Sequence, residues 1–201
     1  MNMRFWVFFM LVVLIVSCVQ KQPVEEVKDP WLTAGTVFTY GVDFQGTTYD
    51  FIVTLNSLDP DVDYSWEMTD PVNISGRWVI ARTALDSAYI QNNYYFPGTD
   101  TLDSATSGWL SRKTFSELKN NGKTMIGYSG SSDMYELVMQ SKEVMKVMLD
   151  DVSVDLNVIR AETENGFVYY ILDNEKYPVI LHMNVEFEIK IKMIKSKQIN
   201  E

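Results

Sequence analysis

The sequence is poor in the residues that most often carry chemistry: among 201 residues it has one cysteine, Cys18, and one histidine, His182. A single cysteine excludes an internal disulfide, so a domain of this chain is stabilised by packing. Basic residues are also few, because 17 lysines and arginines stand against 27 aspartates and glutamates, a net charge of −10. An acidic chain lacks the basic surface that nucleic-acid binding requires, and it is equally unsuited to electrostatic binding at the surface of an anionic membrane.

The first eighteen residues predict export. Arg4 supplies a positive charge, residues 5–16 contain no polar side chain, and Ser17 precedes Cys18. This pattern is typical of a secretory signal and is too short for a membrane span. The tetrapeptide Ile15-Val16-Ser17-Cys18 also resembles the bacterial lipobox, which implies that Cys18 is acylated and becomes the mature N-terminus. The alternative is an N-terminal membrane anchor with an incidental cysteine.

We therefore divide the chain into three parts. Residues 1–17 are predicted to be a lipoprotein signal peptide, and residues 18–30, which are polar and lack periodicity, a flexible tether. Residues 31–196 have a length that suits one domain with its own core. The lipid (palmitate or a similar acyl chain) would anchor this domain in the cell envelope, at the periplasmic or surface face of the outer membrane.

Alternation of apolar and polar residues predicts β-structure through most of the domain. Two such runs flank the turn signal Gln45-Gly46 and predict a hairpin. Between Tyr177 and Met193 every odd position is apolar, which predicts either a bent strand or two strands with a break near Asn184. Asn165-Gly166 is a further two-residue hairpin signal. Other predicted strands lie near residues 64–68, 77–82, 123–128, 134–140, 144–149, 154–164 and 167–172.

Two segments lack this period and predict short helices. Thr83 and Asp86 resemble a capping box before a helix over 84–95, and Ser111 is the predicted cap of a helix over 112–120. Residues 98–108, rich in Thr, Asp and Ser, are predicted to be a loop. The fold class is therefore mainly β (α+β): an antiparallel meander of nine or ten strands that forms a sandwich or an open curled half-barrel with two short helices.

Three segments resemble a group of uncharacterised β-rich lipoproteins of Bacteroidota. They are YDFIVTLNSLDPDVDYSWEMTDPVNISG (49–76), WLSRKTFSELKNNGKT (109–124) and ILDNEKYPVILHMNVEFEIKIKMI (171–194). The group implies no activity. The layout is also similar to lipoprotein-carrier-like curved sheets, a resemblance that implies a concave face able to hold acyl chains.

The candidate catalytic and metal-binding residues have plain alternatives. His182 falls on the polar face of its strand, and without a nucleophile or a second ligand it is predicted to be a solvated histidine. Asp59, Asp61 and Asp63 have calcium-loop spacing, but Tyr64 occupies the sixth place, where such a loop needs glycine. We therefore predict no catalytic residue, no metal and no cofactor.

Two further groups remain open. Asp150-Asp151, and Asp100 with Asp103, are acidic pairs of the kind that a glycoside hydrolase uses, although loop acids are common. A group of six aromatic residues either fills the core or lines a pocket for an apolar or sugar ligand. These residues are Trp66, Trp78, Trp109, Tyr94, Tyr95 and Phe96.

These observations predict a non-enzymatic, membrane-anchored domain that binds a hydrophobic ligand or a partner protein in the envelope. The alternative is an accessory or structural subunit of a cell-surface assembly. A carboxylate-dependent envelope hydrolase ranks third, because no nucleophile and base form a set.

Overall fold

The computed structural model describes residues 29–197, in which thirteen strands and two short helices form. Strands make up 57% of the structure and helices 9%, which confirms the predicted class. The expectations for the signal peptide and for Cys18 concern residues outside the described range.

The elements follow in chain order. They are β1 (Val37–Phe44), β2 (Thr47–Ser57), β3 (Val62–Met68), β4 (Ile74–Ile80), α1 (Arg82–Ser87), β5 (Ile90–Gln91), β6 (Gly98–Leu102), β7 (Ala105–Thr106), α2 (Arg112–Asn121), β8 (Lys123–Tyr128), β9 (Met134–Leu149), β10 (Val152–Thr163), β11 (Val168–Leu172), β12 (Ile180–Asn184) and β13 (Glu188–Lys195).

All thirteen strands belong to one curled sheet in the order β6-β4-β3-β2-β1-β13-β12-β11-β10-β9-β8-β5-β7. Most neighbours are antiparallel, as predicted. Near its end β13 also pairs with β9, where Met193 and Ile194 lie beside Met148 and Leu149. The sheet therefore curls until β9 and β13 meet. Residues 92–97 connect β5, near one end of this order, to β6 at the other end; we call them the crossing segment.

The sheet has an apolar cluster on each side of its central strands. In β10, Leu156 and Val158 belong to a large aromatic-rich cluster, whereas Ile159 and Ala161 belong to a second cluster that α2 covers with Phe115. The four β10 residues are buried, and the two neighbours Val158 and Ile159 point to opposite faces because side chains alternate along a strand. These central strands are thus buried on both sides.

Two local predictions are confirmed. Gln45 and Gly46 have positive φ angles of 53° and 82°, as a two-residue hairpin turn with the twist of its strands requires. Helix α2 begins after Ser111, whose Oγ accepts a hydrogen bond from the backbone N–H of Thr114 at 3.1 Å. It ends at Gly122 in the left-handed conformation, with φ of 76°.

The region between the helices differs from the prediction. Helix α1 covers Arg82–Ser87 instead of 84–95, and Ala81, which supplies no side-chain cap, takes the place expected for Thr83. The predicted loop over 98–108 contains β6 and β7. These short strands form through pairing with β4 and β5, and such long-range contacts leave little local signal.

Turns and strand lengths supply the remaining comparisons. The sequence predicted two strands where β9 is one strand of 16 residues. Asp150 and Asp151 have φ angles of 48° and 66° and form the two-residue turn between β9 and β10. Gly166 alone takes the left-handed conformation in the turn after β10, so Asn165-Gly166 is not the predicted two-residue turn. The break near Asn184 is confirmed, since β12 ends there.

Candidate ligand-binding cleft

A cleft of about 510 Å³ opens at the end of the sheet where four hairpins turn. Its walls come from the β1–β2, β8–β9, β10–β11 and β12–β13 ends and from the crossing segment. The volume falls within the range of small-molecule sites, roughly 300–1,000 Å³. We call it the aromatic cleft because its lining includes nine aromatic side chains: Phe44, Tyr49, Tyr94, Tyr95, Phe96, Tyr128, Tyr135, Phe167 and Phe187.

Tyr95 holds the crossing segment in place. Its ring centroid lies 4.8 Å from that of Phe51 and 5.1 Å from that of Trp66, and its hydroxyl shares a 2.7 Å hydrogen bond with Ser107 Oγ. In extended chain, neighbouring side chains point to opposite sides. The neighbours Tyr94 and Phe96 are accordingly 58% and 72% exposed.

Another wall of the cleft contains three rings packed against one another. The centroid of Tyr128 lies 5.8 Å from those of both Tyr135 and Phe167, and the latter two are 6.4 Å apart. The hydroxyl of Tyr128 is hydrogen-bonded to that of Tyr169. Burial raises the pKa of Tyr128 to about 12, so this wall carries no charge near neutral pH.

Phe44 and Phe187 form another part of the rim. Their ring centroids are 6.5 Å apart in an edge-on arrangement, and Phe44 is 45% exposed. Aromatic side chains left open at a concave surface mark a binding site more often than scattered surface residues do.

The polar groups of the aromatic cleft are mostly uncharged. Asn93, Ser129 and Ser131 contribute neutral groups, and Glu186 contributes a carboxylate. Within residues 29–197, no lysine, arginine or histidine belongs to the lining. Burial also raises the pKa of Tyr49, which lines the cleft beside β1. Among the described residues, Glu186 is thus the one carboxylate in the lining.

His182 lies outside the aromatic cleft and is not the solvated side chain that the sequence predicted. Its ring stacks on Tyr170 with centroids 5.1 Å apart, and its Nε2 lies 3.0 Å from Oε1 of Glu188. The side chain is 16% exposed. Burial lowers the pKa of His182 despite the nearby carboxylate, which acts in the opposite direction.

The calcium-like aspartates do not act together. Asp63 accepts a 2.9 Å hydrogen bond from Nε of Arg77, and this contact lowers the pKa of its carboxyl. Asp61 accepts from the backbone N–H of Arg82 at 2.8 Å. Across residues 29–197, no group of three or more His, Cys, Asp or Glu side chains is arranged to hold a metal ion.

The acidic pairs also lie away from the aromatic cleft. Asp150, besides forming a turn with Asp151, accepts a 2.9 Å hydrogen bond from the backbone N–H of Ser196. Asp100 lies in the exposed strand β6, and Asp103 in the turn that follows it. The pairs therefore belong to turns and an edge strand instead of a shared cleft.

The aromatic residues divide between core and cleft. Trp66, Trp78 and Trp109 are at most 3% exposed and belong to the core. Tyr94 and Phe96 are exposed cleft residues, although the sequence placed Tyr94 in a helix. The one local signal for their position was the loop composition around them, Asn92-Asn93 before and Pro97-Gly98 after.

Comparison with known proteins adds no family. No protein-family model, no curated protein and no solved structure matches the chain. In the part of the chain from 29 to 197, neither helix has the length and hydrophobicity to cross a membrane. The function is therefore inferred from the chemistry of the aromatic cleft.

Proposed function

We propose that the chain is a lipid-anchored protein of the cell envelope that binds a hydrophobic small molecule in the aromatic cleft without transforming it. The exposure of Phe44, Tyr94 and Phe96 around one concave site carries this proposal. Water around these rings is released when an apolar ligand covers them, which favours binding.

The shape of the site favours a small molecule over a partner protein. A stable protein interface buries about 800 Å² on each partner and is broad, whereas this site is a concave cleft of about 510 Å³ lined by turns. Its lining has one carboxylate, Glu186, and glycoside hydrolysis needs two. The lining therefore suits binding better than hydrolysis.

A neutral fluorescent probe, N-phenyl-1-naphthylamine, tests the site directly. Covering about 80 Å² of the Phe96 ring contributes about 2 kcal/mol at about 25 cal/mol per Å². Phe96→Ser should therefore weaken binding of the probe roughly thirtyfold. Because the ring is 72% exposed, its removal leaves the core intact.

Val144→Ser is the matched control, since Val144 is 60% exposed in β9 and lies outside the lining. This variant should bind the probe as the parent protein does. A parent protein that does not bind the probe, or equal affinities for parent and Phe96→Ser, would refute the proposed site.

The lipid anchor is supported by the lipobox-like residues 15–18. Cys18→Ser removes the only thiol, to which the acyl chains would be joined. We expect this variant to lose acyl labelling and to leave the membrane fraction. Unchanged labelling and fractionation would refute the anchor while leaving the cleft untouched.

A further inference from the structure

The charged lining of the aromatic cleft has one sign among the described residues. Glu186 lines it, and the described residues place no basic side chain in the lining. The neighbouring surface depression contains Lys190 and Lys192, but Nζ of Lys192 pairs with Oδ1 of Asp50 at 2.5 Å. That depression also contains the carboxylates of Asp43, Asp50 and Glu188. An anionic head group entering the cleft would thus meet the Glu186 carboxylate, and the lining formed by residues 29–197 offers no cationic side chain to bind it.

The rings add to this preference. The faces of Phe and Tyr rings carry partial negative charge, so they attract cations that lie within about 6 Å of the ring centre. Tyr94 and Phe96 are exposed on the crossing segment, and Phe44 stands on the rim formed by β1. A quaternary ammonium group suits such a site because its apolar methyl groups can contact the rings while its permanent positive charge is attracted to the ring faces.

We infer that the aromatic cleft prefers amphiphiles with a cationic head group, such as a quaternary ammonium, over neutral and anionic amphiphiles of the same chain length. The inference rests on the proposed function and names its ligand class. The apolar chain covers the aromatic rings, and the head group lies between exposed ring faces and the Glu186 carboxylate.

Three probes with the same decyl chain separate these head groups: decyltrimethylammonium, decyl maltoside and decyl sulfate. The affinity of each probe is measured by its displacement of bound N-phenyl-1-naphthylamine, at probe concentrations below the critical micelle concentration of that probe. The salt concentration is about 0.15 M, at which distant surface charges are screened. We expect the cationic probe to bind about tenfold more tightly than the maltoside, and the sulfate to bind most weakly.

Glu186→Gln removes the local charge and keeps the shape of the side chain. It should weaken the cationic probe several-fold and leave the maltoside unchanged. Glu67→Gln, at an exposed position of β3 outside the cleft, makes the same change in net charge and should alter neither affinity.

Equal binding of the cationic and neutral probes, or an equal effect of Glu186→Gln and Glu67→Gln, would overturn the preference and leave the proposed function standing. Tightest binding of the sulfate would also overturn it. If no decyl probe displaces the dye and the dye itself does not bind, the proposed function fails as well.

Discussion

Gly76 lies in β4 where strands approach it from both sides. It pairs with Trp66 of β3 and with Gly98 of β6. A Cβ atom at this position would lie 2.6 Å from the backbone oxygen of Gly98 and 2.7 Å from Cζ2 of the Trp66 ring. Trp66 is buried at 2% exposure, so neither neighbour can move without disturbing the sheet or the core.

Gly76→Ala should therefore destabilise the protein. Inserting a methyl group into a well-packed site costs about 1–3 kcal/mol, while Gly→Ala in a strand recovers up to about 1 kcal/mol of chain entropy. Because the added Cβ would clash with two neighbours at once, the upper end of this cost applies, and the net loss is about 2 kcal/mol. This corresponds to a Tm lower by about 4–8 °C for a domain of this size. Urea and thermal unfolding followed by tryptophan fluorescence measure both quantities.

Gly41→Ala is the matched control in β1. Its added Cβ would meet Cε of Lys192 at 2.5 Å, and that side chain is 58% exposed and free to swing away. The surface ion pair that it leaves contributes about 0–1 kcal/mol, so Gly41→Ala should stay within about 1 kcal/mol of the parent. Equal stability of the two variants would refute the packing argument.

Two pH dependences follow from buried groups. Burial lowers the pKa of His182 below 6.5, so the unfolded chain takes up a proton at a higher pH than the folded protein does. The free energy of unfolding should therefore be highest above about pH 6.5 and should decrease below it. Urea unfolding across about pH 5–7.5 should show a smaller decrease for His182→Phe than for the parent protein. Burial raises the pKa of Tyr128 to about 12, so stability should decline as pH rises from about 10 to 12, and Tyr128→Phe should weaken that decline. Identical pH slopes in parent and variant would contradict the corresponding assignment.

Most of the sheet is predictable because its signals are local. Phe38, Tyr40 and Val42 alternate with less buried neighbours along β1, and the structure buries all three. The cap at Ser111 and the left-handed Gly122 likewise need only neighbouring residues. Where a hairpin or helix end is encoded within ten residues, the sequence predicts its place.

The short strands and the two-residue turn between β9 and β10 were not predicted from the sequence. β5 has two residues and exists through its pairing with β7 and β8, whose paired residues lie 15 and 37 positions further along the chain. Asp150 and Asp151 adopt left-handed backbone in a turn, a conformation that aspartate tolerates more readily than most residues. The two residues therefore serve the turn through their backbone, which the prediction of an acidic pair did not include.

The aromatic cleft was beyond local prediction because its walls are assembled from four hairpin ends and one crossing segment. Its most exposed rings nevertheless have a definite cause. Tyr95 is fixed by Phe51, Trp66 and Ser107, and this anchor forces the residues on either side of it outward. Polar residues at positions 94 and 96 would leave those ring contacts and that hydrogen bond intact and would spare the chain two exposed aromatic rings. The anchoring of Tyr95 therefore does not require aromatic residues at these two positions, and this is the reason for proposing an apolar ligand in the cleft.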